Sequence, residues 1–73
     1  MELMIRRRLA RVTYDGATDV FHGRFVTLTQ DIVFEGATLP VLRADGERKL
    51  IRFLAACARR GEHPYRDAES RSA

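Results

Sequence analysis

The stretch that decides the fold of this chain runs from Tyr14 to Cys57 and reads YDGATDVFHGRFVTLTQDIVFEGATLPVLRADGERKLIRFLAAC. It contains two segments rich in β-forming residues around a polar turn, then a short third segment, and then one long stretch with helical spacing. Short connections join antiparallel neighbours in a sheet. The sequence therefore predicts an α+β fold, in which an antiparallel three-stranded meander is followed by one long helix.

Alternation of apolar and polar residues identifies the first strand. Ala10, Val12 and Tyr14 are predicted to face one side, because side chains in a strand alternate between its two faces. Asp15-Gly16 follows and opens a turn, since this pair is typical of tight hairpin connections. The three predicted strands cover residues 9–14, 20–28 and 32–35.

The helix is predicted from the residues at its ends and from its spacing. Thr38 is suited to the N-cap, where its hydroxyl can accept a hydrogen bond from an amide of the first turn. Pro40 falls in that turn, where its missing N–H costs nothing. Gly61 is suited to the position after the helix, where a left-handed backbone is common. One apolar face is predicted from three- and four-residue spacing, and it consists of Leu42, Gly46, Leu50, Phe53, Leu54 and Cys57.

Asp45-Gly46 interrupts this helical pattern and leaves two interpretations open. Gly in the middle of a helix costs roughly 1 kcal/mol relative to Ala, so the helix either continues with a weak point or breaks into two pieces near residue 45. If it continues with Gly46 against the sheet, Gly46→Ala is expected to stabilise the protein by about 1 kcal/mol. A larger apolar residue would gain more if a hole is present, and would lose if the sheet already fills it.

Length and composition indicate one small domain. The 73 residues are 45% hydrophobic, which is normal for a globular protein. We expect the domain to span residues 1–65 and residues 66–73 to form a flexible tail, because that last segment is short and polar. A chain of this size is near the lower limit for a self-sufficient core, so a second copy or a partner is expected to complete it.

Charge and cysteine content indicate the compartment. The chain has 13 basic and 10 acidic residues, and its basic residues are nearly all arginine, which GC-rich genomes favour. The single cysteine, Cys57, excludes an internal disulfide and favours a reducing environment. No apolar run approaches the roughly 18 residues of a membrane span, and the first basic residues follow the apolar ones, which is the reverse of a secretory signal. These features predict a cytoplasmic protein.

Several segments within residues 10–65, which is most of the chain, follow one another in a characteristic order and spacing. They are Tyr14-Asp15, Phe21-His22-Gly23-Arg24, Asp31-Ile32-Val33-Phe34-Glu35-Gly36, the capping Thr38 with the helix end at Phe53-Leu54 and Cys57, and Arg60-Gly61-Glu62-His63-Pro64. In this order and spacing the chain resembles the HicB antitoxins of bacterial toxin–antitoxin pairs.

This resemblance implies a domain similar to a truncated ribonuclease H fold, with a β-meander followed by one long helix. It also implies a non-catalytic protein that binds and neutralises a small ribonuclease toxin of the HicA type by blocking its active site, or an orphan relative without a toxin. Longer family members continue into a ribbon-helix-helix or helix-turn-helix segment that binds operator DNA, and the present sequence ends where that segment would begin. We therefore expect no sequence-specific DNA binding.

The residues predict no catalytic, cofactor or metal site. His22 and His63 lack the ligand spacing of a metal site, and Cys57 lies on the apolar helix face, where a buried small side chain is the usual interpretation. A nuclease centre needs several carboxylates that converge on two metal ions, whereas aspartates in turns usually form local hydrogen bonds. The acidic set on the predicted sheet consists of Asp15, Asp19, Asp31 and Glu35.

The densest basic cluster supports an alternative function, that of a minimal nucleic-acid-binding module. Arg6, Arg7, Arg8 and Arg11 are its candidate contacts to phosphate groups. A solvated basic surface is the ordinary explanation of such a cluster, so both interpretations stay open.

Self-association is the remaining expectation. A small meander leaves its outer strands unpaired, and proteins usually cover such edges. A chain this small also gains stability by pairing. The sequence therefore predicts a homodimer at micromolar concentration.

Overall fold

A computed structural model describes residues 1–66, so the predicted tail lies outside the described part except for Arg66. The described chain is α+β: one antiparallel sheet, whose strands are neighbours in chain order, precedes one long helix. The elements are β1 (Glu2–Ile5), β2 (Arg8–Asp15), β3 (Val20–Phe25), β4 (Val33–Gly36) and α1 (Leu39–Arg60).

The sheet has four strands, so the prediction of three was wrong by one strand at the N-terminal edge. β1 pairs with β2 with Ile5 opposite Arg8, and Arg6 and Arg7 form the two-residue turn between them. Their φ angles are positive, 49° and 68°. Turns of this kind normally contain Asn-Gly or Asp-Gly, because both central residues need a left-handed backbone. Two arginines carry no such signal, and for that reason the sequence does not predict β1.

The other three strands are confirmed with shifted ends. β2 begins one residue before the predicted start and ends one residue after the predicted end, and β3 stops at Phe25 rather than at Leu28. Ala10 and Val12 are buried as predicted, whereas Tyr14 at the end of the same face stays 54% exposed and packs against Phe21.

The segment after the helix returns to the sheet, which the sequence does not predict. Leu28 forms an isolated antiparallel bridge with Tyr65. Two backbone hydrogen bonds flank this bridge and fix the segment. They run from the Thr29 amide to the Pro64 carbonyl oxygen (3.0 Å) and from the Arg66 amide to the Thr27 carbonyl oxygen (2.7 Å).

Both predicted helix ends are confirmed. The Thr38 hydroxyl accepts a hydrogen bond from the Val41 amide at 3.3 Å. Gly61 follows the last helical residue with a φ of 69°, and its amide donates to the Ala58 carbonyl oxygen. The helix is continuous through Gly46, so the continuous interpretation is the correct one.

The core lies between the helix and one face of the sheet, and it is tightest around Phe34. The Phe34 ring lies 5.0 Å from the Phe25 ring, centroid to centroid. A Cβ on Gly23 would lie 2.4 Å from the Phe34 ring, and a Cβ on Gly46 would lie 3.0 Å from it. The ring therefore fills the space beside two glycines, one on β3 and one on the helix.

This packing removes the basis for the expected gain from Gly46→Ala. The helix is continuous and Gly46 faces the sheet, as that expectation required. However, a Cβ on Gly46 would also lie 2.6 Å from Cδ1 of Ile5, which is fully buried. The expected gain came from helix propensity alone. In the folded protein, Ile5 and Phe34 already occupy the space that a side chain at position 46 would need.

Charged side chains of the helix cover one backbone group on each edge strand. Asp45 Oδ2 accepts a hydrogen bond from the Glu35 amide on β4 at 3.0 Å. Arg43 Nη1 donates to the Met4 carbonyl oxygen on β1 at 2.9 Å. Because unpaired edge groups are what a further strand would bind, these two contacts oppose strand addition at both edges.

Asp45 is the only buried charged residue in the described part of the chain. Burial acts to raise its pKa, but the Glu35 amide, the Lys49 ammonium 3.2 Å away and the Arg48 guanidinium stabilise the charged form. The net result is a pKa below the ordinary value for aspartate.

Candidate functional site

The sheet face that points away from the helix carries a set of outward side chains, which we call the open sheet face. Side chains alternate along each strand, and the register aligns the outward ones of neighbouring strands. Most of them are exposed, and Leu9 and Val26 are half-buried. The open sheet face consists of Glu2, Met4, Leu9, Arg11, Thr13, His22, Arg24, Val26, Val33 and Glu35.

Two arginines lie directly opposite each other at the centre of this face. Arg11 on β2 pairs in register with Arg24 on β3. Like charges at directly opposed positions destabilise a sheet. Arg24 Nε lies 3.8 Å from Asp31 Oδ1, with both side chains largely exposed, whereas no carboxylate of residues 1–66 lies within ion-pair distance of Arg11. The pair is therefore suited to receive an acidic group from outside the domain.

A histidine and a glutamate form the row next to the arginines. His22 on β3 lies opposite Glu35 on β4, and His22 Nδ1 is 3.6 Å from Glu35 Oε1. Both side chains are about half exposed or more, at 47% and 64%. An exposed pair of this kind contributes little stability, so both side chains are available to a partner.

Apolar side chains form the other end of the open sheet face. Met4 lies opposite Leu9, and the amide of Val26, the residue after β3, donates to the Leu9 carbonyl oxygen. Val33 on β4 lies opposite Arg24 and adds an apolar side chain next to the arginines. Met4 and Val33 are 54% and 56% exposed. A basic centre beside exposed apolar side chains is typical of a protein-binding surface, where arginine and methionine are enriched.

The open sheet face is concave over its central strands. The concavity has a volume of about 570 Å³. Polar and apolar side chains both line it, so it offers hydrogen-bond donors beside apolar surface whose burial by a partner would be favourable. The lining residues are Arg11, Thr13, His22, Gly23, Arg24, Val26 and Val33.

The acidic residues of the sheet each have a local partner. Asp15 Oδ1 accepts a hydrogen bond from the Ala17 amide at 3.0 Å, as aspartates in turns usually do. Asp19 accepts from the Tyr14 hydroxyl, and this hydrogen bond raises the pKa of Tyr14. Within residues 1–66, no group of three or more His, Cys, Asp or Glu side chains could hold a metal ion. Cys57 is buried in the core, as predicted.

The four arginines that were predicted to form one basic cluster lie at two separate places in the structure. Arg6 and Arg7 lie in the β1–β2 turn, and the Arg8 guanidinium lies 4.2 Å above the centre of the Tyr65 ring. These three line one groove beside the helix. Arg11 lies apart from them on the open sheet face, next to Arg24.

Arg24, Val26 and Val33 belong to the candidate site although the sequence analysis did not single them out. The relevant signal is the length of the β2–β3 turn. Once Asp15 is paired with Val20, antiparallel register places Arg11 opposite Arg24. The sequence predicts the turn but not the pair that closes it, and therefore not this neighbourhood.

The described residues contain no helix that is both long and apolar enough to cross a membrane. Comparison of the chain with family models, with curated proteins and with solved structures found no match. The function is therefore argued from the residues of this chain.

Proposed function

We propose that this protein is a HicB-like antitoxin, which binds and neutralises a small ribonuclease toxin of the HicA type, or an orphan relative of such an antitoxin. The proposal includes a domain similar to a truncated ribonuclease H fold and a cytoplasmic location. It rests on the resemblance of residues 10–65 and on the chemistry of the open sheet face.

The observation that carries the proposal is the open sheet face itself. The helix covers one side of the sheet, while the other side presents the Arg11–Arg24 pair next to exposed Met4 and Val33. A surface of this kind can bury apolar area and pair its arginines with carboxylates of a partner protein. Neutralisation would then follow from steric blocking of the toxin's active site.

A bound carboxylate would stabilise the arginine pair more than it would stabilise isolated exposed arginines. In the free domain the two arginines occupy directly opposed positions on β2 and β3, where like charges repel, and Glu2, opposite Arg11 on β1, lies beyond ion-pair distance. An acidic side chain placed between them would relieve that repulsion and form charge-assisted hydrogen bonds. We therefore place an acidic residue of the toxin at this point.

The test is a growth-rescue experiment. The candidate toxin is the product of any small HicA-type reading frame that lies beside this gene, and it is expressed from an inducible promoter together with the present protein. We expect the wild type to restore growth and the Arg11→Glu/Arg24→Glu double variant to lose rescue, because it repels the toxin's acidic residue. Calorimetric titration of the purified pair should show the same loss of binding.

Arg52→Glu/Arg59→Glu is the matched control for charge, since it makes the same charge change on exposed helix positions. It should retain rescue. Absence of rescue by the wild type contradicts neutralisation of that toxin and leaves only the orphan alternative, whereas rescue by the double variant contradicts the proposed surface alone.

Homodimer formation stays a prediction. Asp45 and Arg43 oppose strand pairing at both edges, so a second copy would dock on the open sheet face instead. Light scattering across micromolar concentrations checks the oligomeric state, and a dimer that Arg11→Glu/Arg24→Glu leaves intact would exclude this face as its interface.

A further inference from the structure

A groove between the β1–β2 turn and the second half of the helix lies on the opposite side of the sheet from the open sheet face. Its volume is about 410 Å³. Three arginines form its walls, no carboxylate lines it within the described chain, and its floor is apolar and aromatic. The lining residues are Arg6, Arg7, Arg8, Leu50, Leu54 and Tyr65.

The two arginines at the turn occupy positions that do not suit them. Arg6 and Arg7 both have a positive φ, which L-residues with long side chains adopt at a cost and which Asn-Gly adopts readily. Both side chains are exposed, and no carboxylate of residues 1–66 pairs with either of them. The folding of the hairpin does not explain arginine at these two positions, whereas binding of an anionic ligand would.

The floor of the groove is held in place by the segment that follows the helix. Tyr65 is fixed by its bridge to Leu28 and by the backbone hydrogen bonds on either side of it. The Arg8 guanidinium lies 4.2 Å from the centre of the Tyr65 ring, which orients the arginine and the ring together. Leu54 is half-buried and lines the groove with them, so it adds apolar surface to the floor.

We propose that this groove binds single-stranded nucleic acid. Arg6 and Arg7 contact consecutive phosphate groups, and one base lies against the surface formed by Leu54, Tyr65 and the Arg8 guanidinium. The Arg6 and Arg7 guanidinium groups match phosphate groups, and base faces stack on aromatic rings and guanidinium planes. A duplex hides its base faces, whereas a single strand carries a phosphate charge and an accessible flat base in every unit, which an acidic peptide does not, so the single strand fits both parts of the groove best.

This site is independent of the proposed antitoxin function. It uses the turn and the helix side of the sheet, whereas toxin binding is assigned to the open sheet face. The two can therefore fail separately.

The test is fluorescence anisotropy with a labelled 12-nucleotide single-stranded RNA of mixed sequence, at several salt concentrations around 0.1 M. Each phosphate contact on a single strand changes the logarithm of the affinity by about 0.7 per decade of salt. Arg6→Gln/Arg7→Gln should therefore weaken binding roughly 25-fold near 0.1 M salt and reduce the salt slope by about 1.4. Tyr65→Leu should weaken binding with little change in the slope, because it removes a stacking surface and no charge.

Two further variants separate the site from effects of net charge and of folding. Arg11→Gln/Arg24→Gln removes the same charge from the open sheet face and should leave the affinity within about two-fold, since phosphate contacts at the groove are unchanged. Arg6→Asn/Arg7→Gly installs the residues that the turn prefers, so it should raise the unfolding midpoint while it weakens RNA binding. Loss of binding in a more stable protein cannot result from unfolding.

Several outcomes would overturn the proposal: no binding by the wild type at low salt, equal weakening by the control variant, or unchanged binding by Arg6→Asn/Arg7→Gly. Competition by polyglutamate as strong as that by unlabelled RNA would instead identify an acidic polypeptide as the ligand and overturn the nucleic-acid assignment. DNA of the same sequence that binds equally would show that phosphate and base suffice, and weaker DNA binding would show a contact to the 2′-hydroxyl; both results agree with the proposal.

Discussion

The two faces of the sheet differ in what a single substitution can do. On the covered face, Gly23, Gly36 and Gly46 bring backbone so close to neighbouring atoms that one added methyl group overlaps them. On the open sheet face, Arg11 and Arg24 point to solvent and are opposed at some cost to stability. The stability of this protein therefore depends on positions without a side chain, while binding is assigned to exposed charged residues that stability does not require.

Gly36→Ala is expected to have the largest effect on stability, because Gly36 lies where the sheet contacts the backbone of the helix. Its Cβ would lie 2.4 Å from the Leu42 amide nitrogen and 2.8 Å from Leu42 Cα. These are backbone atoms of the helix, so the first turn would have to move. We expect a loss of about 3 kcal/mol in the free energy of unfolding, measured by urea denaturation.

Gly16→Ala is the matched control for this variant. The nearest atom to its Cβ is Tyr14 Cε2 at 3.9 Å, which is an ordinary contact. We expect a change within about 0.5 kcal/mol. Equal stability of the two variants would contradict the tight contact between β4 and the start of the helix.

Gly46→Ala tests whether packing or helix propensity decides stability at the centre of the core. Propensity favours Ala by roughly 1 kcal/mol, while overpacking typically costs about 1–3 kcal/mol. We expect a net loss of about 1 kcal/mol, because Ile5 and Phe34 cannot both withdraw from the new methyl group.

Ile5→Val gives the Gly46→Ala test its control, since it removes the Cδ1 atom that lies 2.6 Å from the new Cβ. The double variant should be more stable than the sum of the single effects by about 1 kcal/mol in a double-mutant cycle. A Gly46→Ala protein that gains the full propensity difference would show that the core has room there.

Asp45→Asn tests the one charged side chain that is buried within residues 1–66, through the pH dependence of stability. The folded-state pKa of Asp45 lies below the unfolded value of about 3.9, so its charge stabilises the fold above that pH. This contribution is lost as the pH falls through the lowered pKa. We expect Asp45→Asn to be about 1 kcal/mol less stable at pH 7, since Arg48 and Lys49 are themselves partly exposed.

The difference between wild type and Asp45→Asn should shrink below about pH 4 and vanish in stronger acid, as followed by urea denaturation at each pH. Asp31→Asn is the control, because its Arg24 partner is 3.8 Å away and both side chains are exposed. It should change stability little at any pH. A constant Asp45→Asn deficit down to the acid limit would assign the effect to shape and not to charge.

Arg11→Gln on the open sheet face is expected to have the smallest effect, with the opposite sign. Removal of one of two opposed arginines should raise the free energy of unfolding by about 0.3 kcal/mol at low salt. High salt should abolish the gain, because it screens exposed charges. Arg59→Gln removes the same charge from the last helical turn, where a cation is favourable, and should destabilise slightly instead. A loss of stability in Arg11→Gln would show that the pair supports the fold.

Much of the fold could be predicted from sequence because its signals are local. The Thr38 cap, the left-handed Gly61 and the alternation of Ala10 with Val12 each act within a few residues of the chain, and all of them are present in the structure. β1 could not be predicted in the same way, because its turn uses Arg6 and Arg7 where turn-forming residues are expected.

The candidate sites were less accessible to sequence reasoning. Arg11 could be chosen as a basic residue, but its neighbour Arg24 depends on which residues close the β2–β3 turn. Arg6 and Arg7 could be grouped by adjacency, but their position beside Leu54 and Tyr65 depends on the return of the chain after the helix. Contacts of this kind join residues far apart in the chain, so no local pattern encodes them.

Local sequence is enough to place the two ends of the helix and its apolar residues, because caps and spacing act over one or two turns. Tertiary packing sets which face of the sheet is covered, that Phe34 lies between Gly23 and Gly46, and that Arg11 opposes Arg24. Strand register and the approach of the helix to the sheet depend on close packing of side chains from distant segments, where a single methyl group changes the balance.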